Sequence, residues 1–289
     1  MTSSRREPAA IGMAFLRSPT GVDPFYGEVI AGLEDALHPH GMRVLMQTVP
    51  TARDVLATYR RWALAGAVAG IVISDLTVDD TRASVLTGLG MAHVTLGQPV
   101  TPTGGAVVRV DNRTAMAHAV EHLVALGHRV VGRVSGPRQY AHTRTRDRAF
   151  LAAMATVGGT ARTVVGDYSA AGGAAGTLEL LRGADRPTAI VYDNDVMAVA
   201  GLEAAVGSGL DVPAELSILA WDDSTSCRLA TPPLSAMSHD VRELGDLAGR
   251  VLLRVIDGGP AEDISAPIPV FVARGSTAPP ATTRVDPAG

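Results

Sequence analysis

The sequence of 289 residues contains no lysine, and all 25 of its basic residues are arginine. This absence excludes a Schiff-base lysine and a phosphate-binding P-loop, because both depend on a lysine side chain. The single cysteine, Cys227, excludes an internal disulfide and any metal site built from several cysteines. A lone cysteine is also typical of a reducing compartment.

Long apolar segments are missing too. No apolar run reaches the roughly 18–20 residues that a membrane-spanning helix requires. The first ten residues lack the apolar core of a signal peptide. The net charge is -4, and no part of the sequence is rich in basic residues, so there is no footprint of nucleic-acid binding. We therefore expect a cytoplasmic protein that contacts no membrane.

Apolar, β-rich segments alternate with helical patterns along almost the whole chain. The first strand-like segment, AIGMAFL at 10–16, precedes FYGEVIAGLEDALHPHG at 25–41, in which apolar residues recur every three or four positions. Continuous apolar strands alternating with helices indicate parallel sheets covered on both faces, and about ten strands are too many for one ordinary sheet. The predicted fold class is α/β, with two doubly wound parallel-sheet lobes.

Polar and aromatic side chains follow several predicted strands. The segment VYDNDVMAVAGL at 191–202 runs from an apolar strand through Asp193-Asn194-Asp195 into a helical pattern. In open α/β sheets, ligands bind beyond the carboxyl ends of the strands. Aromatic rings, carboxylates, amides and arginines suit a small polar or polyhydroxylated ligand. The other groups near strand ends are Phe25, Tyr26, Asp111, Arg144, Arg146, Arg148, Tyr168, Asp222 and Asp223.

Helix capping is the competing interpretation for the acidic residues. Asp195 and Asp223 precede helices and are expected to be caps, whereas Asp111 is equally consistent with a cap and with a ligand contact. Asn194 is expected to face a ligand. Asp193 is undecided between ligand binding and capping.

Other candidates also have ordinary structural interpretations. Phe25 is consistent with core packing as well as ligand contact. Arg144 and Arg148 are expected on a solvated helix face. His122 and His128 are six residues apart and share no helix face, so we expect ordinary surface or capping groups.

A series of motifs occurs in order from about residue 10 to 277, and together they resemble the effector-binding domain of the lactose/galactose-repressor (LacI/GalR) type of transcriptional regulator. The motifs are IGMAF, PFYGEVIAGLEDAL, GIVIS, VDNRTAMAHAVEHLVALGHRVVGRVSGP, RTRDRAF, GDYS, RPTAIVYDNDVMAVAGLEAAVGSGLDVPAELSILAWDD, LATPPLSAMSHD and VARGST.

The resemblance implies a two-lobed fold like that of type I periplasmic binding proteins, with three crossovers between the lobes near 108–111, 236–240 and 268–272. Nothing in 272–289 suggests a packed element. The predicted divisions are an N-terminal stub at 1–9, an N-terminal lobe at 10–108 plus 239–269, a C-terminal lobe at 109–238 plus 270–278, and a disordered tail at 279–289.

The resemblance also implies a small-molecule effector, a sugar or similar molecule, in the cleft between the lobes. By motif position, Arg146 resembles the family's ligand arginine, Asn194 the amide after the strand, and Asp222 the carboxylate. The full implied ligand-binding set is Phe25, Tyr26, Asp111, Arg146, Tyr168, Asn194, Trp221, Asp222 and His239. Neither a metal nor a cofactor is implied, and no catalytic residue.

Three positions depart from the family pattern and leave the identity of the ligand open. Gly97 stands where several members carry an aspartate. Trp221 replaces the more usual tyrosine before the Asp pair. His239 stands where glutamine or a similar polar group is common.

Family members act as homodimers and read operator DNA through an N-terminal helix-turn-helix headpiece. Residues 1–9 contain Arg5 and Arg6 but no helix-turn-helix pattern. We expect that this sequence lacks the headpiece or is a naturally headless relative, so that it does not itself bind DNA specifically.

Two other classes of protein are alternatives to this interpretation. A periplasmic-type sugar receptor for transport shares the lobes, but the missing signal peptide and the repressor-like motifs argue against it. An enzyme on a doubly wound fold is disfavoured because the sequence has no GxSxG, HExxH or GxxxxGK[ST] motif. We therefore predict a binding protein that is not an enzyme.

Overall fold

A computed structural model describes residues 10–17, 24–183 and 185–281. The predicted stub at 1–9 and most of the predicted tail lie outside these residues. The strands are β1 Ala10–Leu16, β2 Arg43–Val49, β3 Gly70–Ile73, β4 His93–Leu96, β5 Ala106–Arg109, β6 Val130–Ser135, β7 Thr160–Val165, β8 Ala189–Tyr192, β9 Ser217–Trp221, β10 Ser235–Ser238, β11 Ile264–Ser265 and β12 Val270–Val272. The helices are α1 Pro24–Leu37, α2 Ala52–Ala65, α3 Arg82–Gly88, α4 Asn112–Ala125, α5 Ala141–Thr156, α6 Ala170–Leu180, α7 Asp195–Gly207, α8 Thr225–Leu229 and α9 Val241–Ile256.

The chain forms two compact units, each built on one sheet, and it changes unit after Asp111, Gln139, His142, His239 and Pro267. The α/β class with two doubly wound parallel-sheet lobes is confirmed. A short segment at the start of α5 belongs to the first unit, which the sequence did not indicate. The first unit contains the described residues up to Asp111, Tyr140–His142 and Asp240–Pro267, and the second contains Asn112–Gln139, Thr143–His239 and the described residues from Ile268 onward.

The sheet of the first unit has the strand order β11-β5-β4-β3-β1-β2, and all its pairings are parallel. β3 and β4 are buried along their whole length, as expected of central strands covered on both faces. Helices α1 and α9 pack closely because each offers a glycine to the other. A Cβ atom at Gly32 would lie 1.8 Å from the Arg242 carbonyl oxygen, and one at Gly245 would lie 2.1 Å from the Val29 carbonyl oxygen.

The sheet of the second unit has the order β12-β10-β9-β8-β6-β7. Among the strand pairings described in this sheet, β10–β12 is antiparallel and the others are parallel, so β6 to β10 all run in the same direction. Their carboxyl ends therefore share one edge of the sheet, and the polar residues after these strands collect there.

The segment after β12 contradicts the expectation that nothing in 272–289 forms a packed element. Ser276 has no exposed surface. Its Oγ donates to the Ile218 carbonyl oxygen at 2.6 Å and accepts from the Ser235 amide at 2.8 Å, and its own carbonyl accepts from the Ile218 amide at 2.8 Å. A segment this short has no periodicity, so the sequence pattern gave no signal.

His128 is not a surface or capping residue, and that prediction was wrong. The side chain is buried: Nδ1 lies 2.8 Å from Thr188 Oγ1, and Nε2 lies 3.1 Å from Ser217 Oγ and 3.0 Å from the Ala278 carbonyl oxygen. Burial lowers the pKa of His128, although the Ala278 carbonyl opposes this shift. His122 is exposed and stacks on Phe271, with ring centroids 4.1 Å apart.

Candidate functional site

Polar side chains follow four of the five parallel strands in the second unit, and Gly136, whose backbone amide donates to Asp193, follows the fifth. Because these strands end at one edge of the sheet, their loops are neighbours, and α5 contributes an arginine to the same region. The residues concerned are Gly136 after β6, Tyr168 after β7, Asp193 and Asn194 after β8, Asp222 after β9, His239 after β10, and Arg146 from α5.

Arg146 is held by groups on three sides. Its Nε donates to Asn112 Oδ1 at 2.7 Å, and its Nη1 donates to the Asp193 carbonyl oxygen at 2.9 Å. Its guanidinium carbon lies 3.9 Å from the centroid of the Trp221 ring, which is a cation–π contact. Trp221 is 1% exposed and Arg146 is 9% exposed. The ring therefore supports the arginine, and its role as a direct ligand contact stays a prediction.

Asp193 is neither a cap nor an open carboxylate but the buried partner of Arg133. Arg133 Nη2 donates to both carboxylate oxygens, at 2.8 and 2.6 Å, and the Gly136 amide donates to Oδ2 at 2.8 Å. Burial works to raise the pKa of Asp193, but the charges of Arg133 and Arg146 hold that pKa below its ordinary value. The carboxylate is therefore ionised and fully paired.

Asn194 joins two of the loops. Its Oδ1 accepts from the Met197 amide at 2.9 Å, which makes Asn194 the N-cap of α7, and its Nδ2 donates to the Tyr168 carbonyl oxygen at 3.1 Å. The expectation that Asp195 caps this helix was wrong, because Asp195 is the first helical residue. The ligand contact expected of Asn194 stays a prediction.

Tyr168 adopts a left-handed backbone conformation, with φ 68°, which is uncommon for a residue with a side chain. Its hydroxyl lies 2.9 Å from Thr143 Oγ1 at the start of α5. Gly136 is required beneath it, because a Cβ there would lie 2.1 Å from the Tyr168 ring. These contacts fix the direction of the Tyr168 ring.

Asp222 and His239 form a polar pair at the ends of β9 and β10. Asp222 Oδ1 lies 2.8 Å from His239 Nε2, and Asp222 has φ 70°. Asp223 does not cap α8, contrary to the prediction, because its Oδ2 accepts from Arg274 Nη2 at 2.7 Å and Ser224 occupies the N-cap position. Asp222 is directly bonded to Trp221, so this pair adjoins Arg146.

In the first unit, Tyr26 is the centre of an aromatic group. Its ring centroid lies 4.3 Å from that of Phe15 and 5.3 Å from that of Phe25, and both Phe25 and Tyr26 pack partly buried against the core. Tyr26 also forms a hydrogen bond with Asp75. The pKa of Asp75 is raised overall, because burial raises it more than the Tyr26 hydrogen bond and the charge of Arg82 lower it.

Asp75 is a strand-end carboxylate that the sequence reasoning missed. It follows β3 with φ 49°, and its carbonyl oxygen and that of Ser74 accept from Arg82 Nη2 at 2.9 and 2.7 Å. The available signal was the segment GIVISD, an apolar strand that ends in an aspartate.

Gly97, one of the three positions that depart from the family pattern, has φ 116°. A side chain would be strained in that region, which favours glycine at this position. Asp111 lies at the end of the first unit and directly precedes α4. The choice between capping and ligand contact at Asp111 stays open.

Six of the nine sequence-predicted site residues therefore form one connected group in the second unit. Phe25 and Tyr26 belong to the first unit, and Asp111 ends the segment of the first unit that leads into α4. Arg144 and Arg148 are exposed on α5, as predicted. The connected residues are Arg146, Tyr168, Asn194, Trp221, Asp222 and His239.

This arrangement presents hydrogen-bond donors and acceptors. Within the described residues, no group of three or more His, Cys, Asp and Glu side chains could hold a metal ion. Cys227 is buried, and burial raises the pKa of its thiol to about 12, so it is a poor nucleophile. None of the described helices combines the length and the apolar character needed to cross a membrane.

Comparison with known proteins gives a consistent set of relatives. Residues 120–277 match the model of a periplasmic binding protein-like domain. The HTH-type transcriptional regulator reg1 of Streptomyces lividans is 30% identical over 95% of this chain and 82% of its own length. A LacI family transcriptional regulator from Bifidobacterium animalis has a TM-score of 0.88 at 32% identity, with coverage of 94% and 99% of the two chains. The regulator CelR in complex with cellobiose has a TM-score of 0.83 at 24% identity and 94% and 85% coverage.

Proposed function

Because this chain belongs to the LacI family of transcriptional regulators, we propose that residues 10–281 bind a small polar effector, of the sugar class, and thereby control DNA binding. The observation that carries the proposal is the connected polar group at the carboxyl edge of the second sheet, centred on Arg146. The cellobiose complex of CelR, which shares the fold, supports a sugar as the class of effector.

The roles that we propose follow from the geometry of the second unit. Arg146 presents donors to ligand hydroxyls, and Asp222, with His239, presents acceptors. Tyr168 and Asn194 form the adjoining wall. Phe25, Tyr26 and Asp111 are also proposed to contact a ligand, and Trp221 acts through Arg146.

The proposed control is a shift between two arrangements of the protein that differ in affinity for the effector. Moving such a balance from 1:99 to 99:1 requires about 5.5 kcal/mol of differential binding. Hydrogen bonds to charged groups are worth roughly 1.5–3 kcal/mol each, so a few of them made in only one arrangement are sufficient. We further propose a cytoplasmic homodimer without enzymatic activity, in which a helix-turn-helix headpiece like those of the HTH-type relatives binds operator DNA.

A thermal-shift screen of monosaccharides, disaccharides and nucleobases tests this proposal. A ligand present at 100 times its Kd adds about 2.7 kcal/mol of stability. Replacement of Arg146 or Asp222 with alanine is expected to weaken binding of the ligand found by at least roughly tenfold, since each change removes a charge-assisted contact. Isothermal titration calorimetry of each variant gives the affinity.

Arg148→Ala is the matched control, because Arg148 is an exposed arginine two positions further along α5. This variant should bind with the affinity of the unmodified protein. If no sugar in the screen stabilises the protein, the sugar class is wrong. If a ligand binds equally well to Arg146→Ala and Asp222→Ala, the site is elsewhere.

A further inference from the structure

A charged residue lies in the middle of a buried strand of the second sheet. Arg133 has no exposed surface, although β6 is otherwise composed of small and apolar residues. Its guanidinium pairs with the carboxylates of Asp193 and Asp147. Burying such a pair is costly, and apolar residues of similar volume often give equal or greater stability. Fold stability alone therefore does not account for these charges.

The two ion pairs of Arg133, with Asp193 and with Asp147, both lie next to Arg146. One acceptor of Arg146 is the Asp193 carbonyl oxygen, at 2.9 Å, and the Asp193 side chain is fixed by Arg133 and by the Gly136 amide. The other partner of Arg133 is Asp147, the residue after Arg146 on α5. Arg133 thus fixes both the residue that accepts from Arg146 and the helix turn from which Arg146 projects.

We propose that Arg133 and Asp193 are positioning residues that hold the guanidinium of Arg146 over Trp221 in its ligand-binding orientation. Within the described part of the chain, the hydrogen bonds of Arg146 use Nε and Nη1, which leaves Nη2 for the ligand. Pre-orientation reduces the conformational entropy that an arginine side chain loses on binding. The inference rests on the proposed function in one respect only, that Arg146 binds the effector.

Trp221 fluorescence reports the position of Arg146 without any ligand. The chain has two tryptophans, so Trp62→Phe leaves Trp221 as the only emitter. In that background, Arg146→Ala uncovers one face of the indole, and we expect emission at longer wavelength with faster quenching by acrylamide. Arg133→Met/Asp193→Leu replaces the ion pair with apolar side chains of similar size.

The double variant is expected to keep its circular dichroism spectrum and a cooperative thermal transition, while its Trp221 emission and quenching move most of the way to those of Arg146→Ala. Arg242→Met/Asp35→Leu removes the exposed ion pair of α9 and α1 as a control, and it should leave both signals unchanged. A folded double variant with unchanged Trp221 signals would overturn the positioning role.

Asp193→Asn gives a second test, and it decides the matter if the double variant does not fold. It keeps the side-chain volume but weakens the contacts with Arg133 and Gly136, so the Trp221 signals should move in the same direction by a smaller amount. Unchanged signals in folded Asp193→Asn would refute the inference. Because none of these readouts uses an effector, a failed ligand screen would count against the proposed function and not against this inference.

Discussion

Cys227 lies in the hydrophobic core of the second unit with no exposed surface. Burial, and to a smaller extent the nearby Asp195, Asp223 and Asp222, raise the pKa of its thiol to about 12. Only the thiolate reacts with disulfide reagents, so we expect the native protein to react with 5,5′-dithiobis(2-nitrobenzoate) at least a hundredfold more slowly than the protein in guanidinium chloride. Equal rates at pH 8 would show that Cys227 is accessible in the native state.

The stability of the protein is expected to depend on pH through His128, because the pKa of this residue is lowered in the folded state. Between the lowered pKa and the ordinary value near 6.5, the unfolded chain binds more protons than the folded one. The contribution of His128 to stability is therefore complete above pH 6.5 and is lost as the pH falls through the folded pKa.

The measurement is urea unfolding at several pH values between 8 and 5. His128→Gln should be less stable than the unmodified protein at pH 8, and the difference should narrow as the pH falls. His118→Gln, at an exposed position on α4, is the control and should change neither the stability nor its slope. A constant difference between His128→Gln and the unmodified protein at every pH would contradict the assignment.

At α7, the sequence identified the right group of residues but assigned the helix cap to Asp195, whereas Asn194 holds that position. Asp and Asn are similar as caps, so composition could not decide which of two adjacent residues has the non-helical backbone. The structure places Asn194 at φ -150° and Asp195 within the helix. The role of Asp193 was also beyond the sequence, because its partner, Arg133, lies 60 residues earlier in the chain.

At the scale of elements, the packing of α1 against α9 depends on two glycines that face each other's backbone. A Cβ at Gly32 would lie 1.8 Å from the Arg242 carbonyl oxygen, and neither helix backbone can yield without separating from the other. We expect Gly32→Ala and Gly245→Ala each to destabilise the protein by at least about 2–3 kcal/mol, as overpacking does. Urea unfolding followed by circular dichroism measures this loss.

Gly27→Ala is the matched control on α1, because a Cβ at Gly27 meets nothing within 4 Å. Alanine has the higher helix propensity, so this variant should be more stable by about 0.5–1 kcal/mol. Stability losses of similar size at Gly27 and Gly32 would show that close approach of the helices is not the cause.

Elements with strong local signals were predictable and those without them were not. Helix α2, at Ala52–Ala65, carries such signals, because Thr51 caps its start and Gly66, with φ 60°, ends it. The short elements α8, β10 and β11 were not predicted. β10 has four residues, SAMS, that form a strand through pairing with β9 and β12, and such tertiary pairing leaves no periodic pattern in so short a segment.

At the scale of the whole molecule, the order of the polar groups in the sequence has a simple topological cause. Parallel strands all end at the same edge of the sheet. A polar residue placed directly after each strand therefore lies at that edge, next to the polar residues that follow the neighbouring strands. This is why Tyr168, Asn194 and Asp222 could be grouped from sequence, whereas Arg146, on α5, was singled out by its motif. The contacts by which Arg133 supports this group could not be predicted from sequence, because they depend on the directions of side chains inside the sheet.

Each unit contains one tryptophan, Trp62 in the first and Trp221 in the second, so the stability of each can be followed separately. Truncation after Gly275 removes the partners of the Ile218 and Ser235 amides and of His128. Losing several hydrogen bonds of about 0.5–1.5 kcal/mol each should destabilise the second unit by on the order of 3 kcal/mol, which corresponds to roughly 5–10 °C in Tm.

The truncation should therefore lower the midpoint reported by Trp221 in a Trp62→Phe background more than the midpoint reported by Trp62 in a Trp221→Phe background. Truncation after Ala281 keeps the contacts of Ser276 and Ala278 and should change neither midpoint. Equal shifts of both reporters would mean that the two units unfold as one cooperative structure, and an unchanged Trp221 midpoint would mean that Ser276–Ala278 adds nothing to the second unit. The segment that showed no pattern in the sequence is expected to be essential for the stability of that unit, because it accepts hydrogen bonds from the buried Ile218 and Ser235 amides.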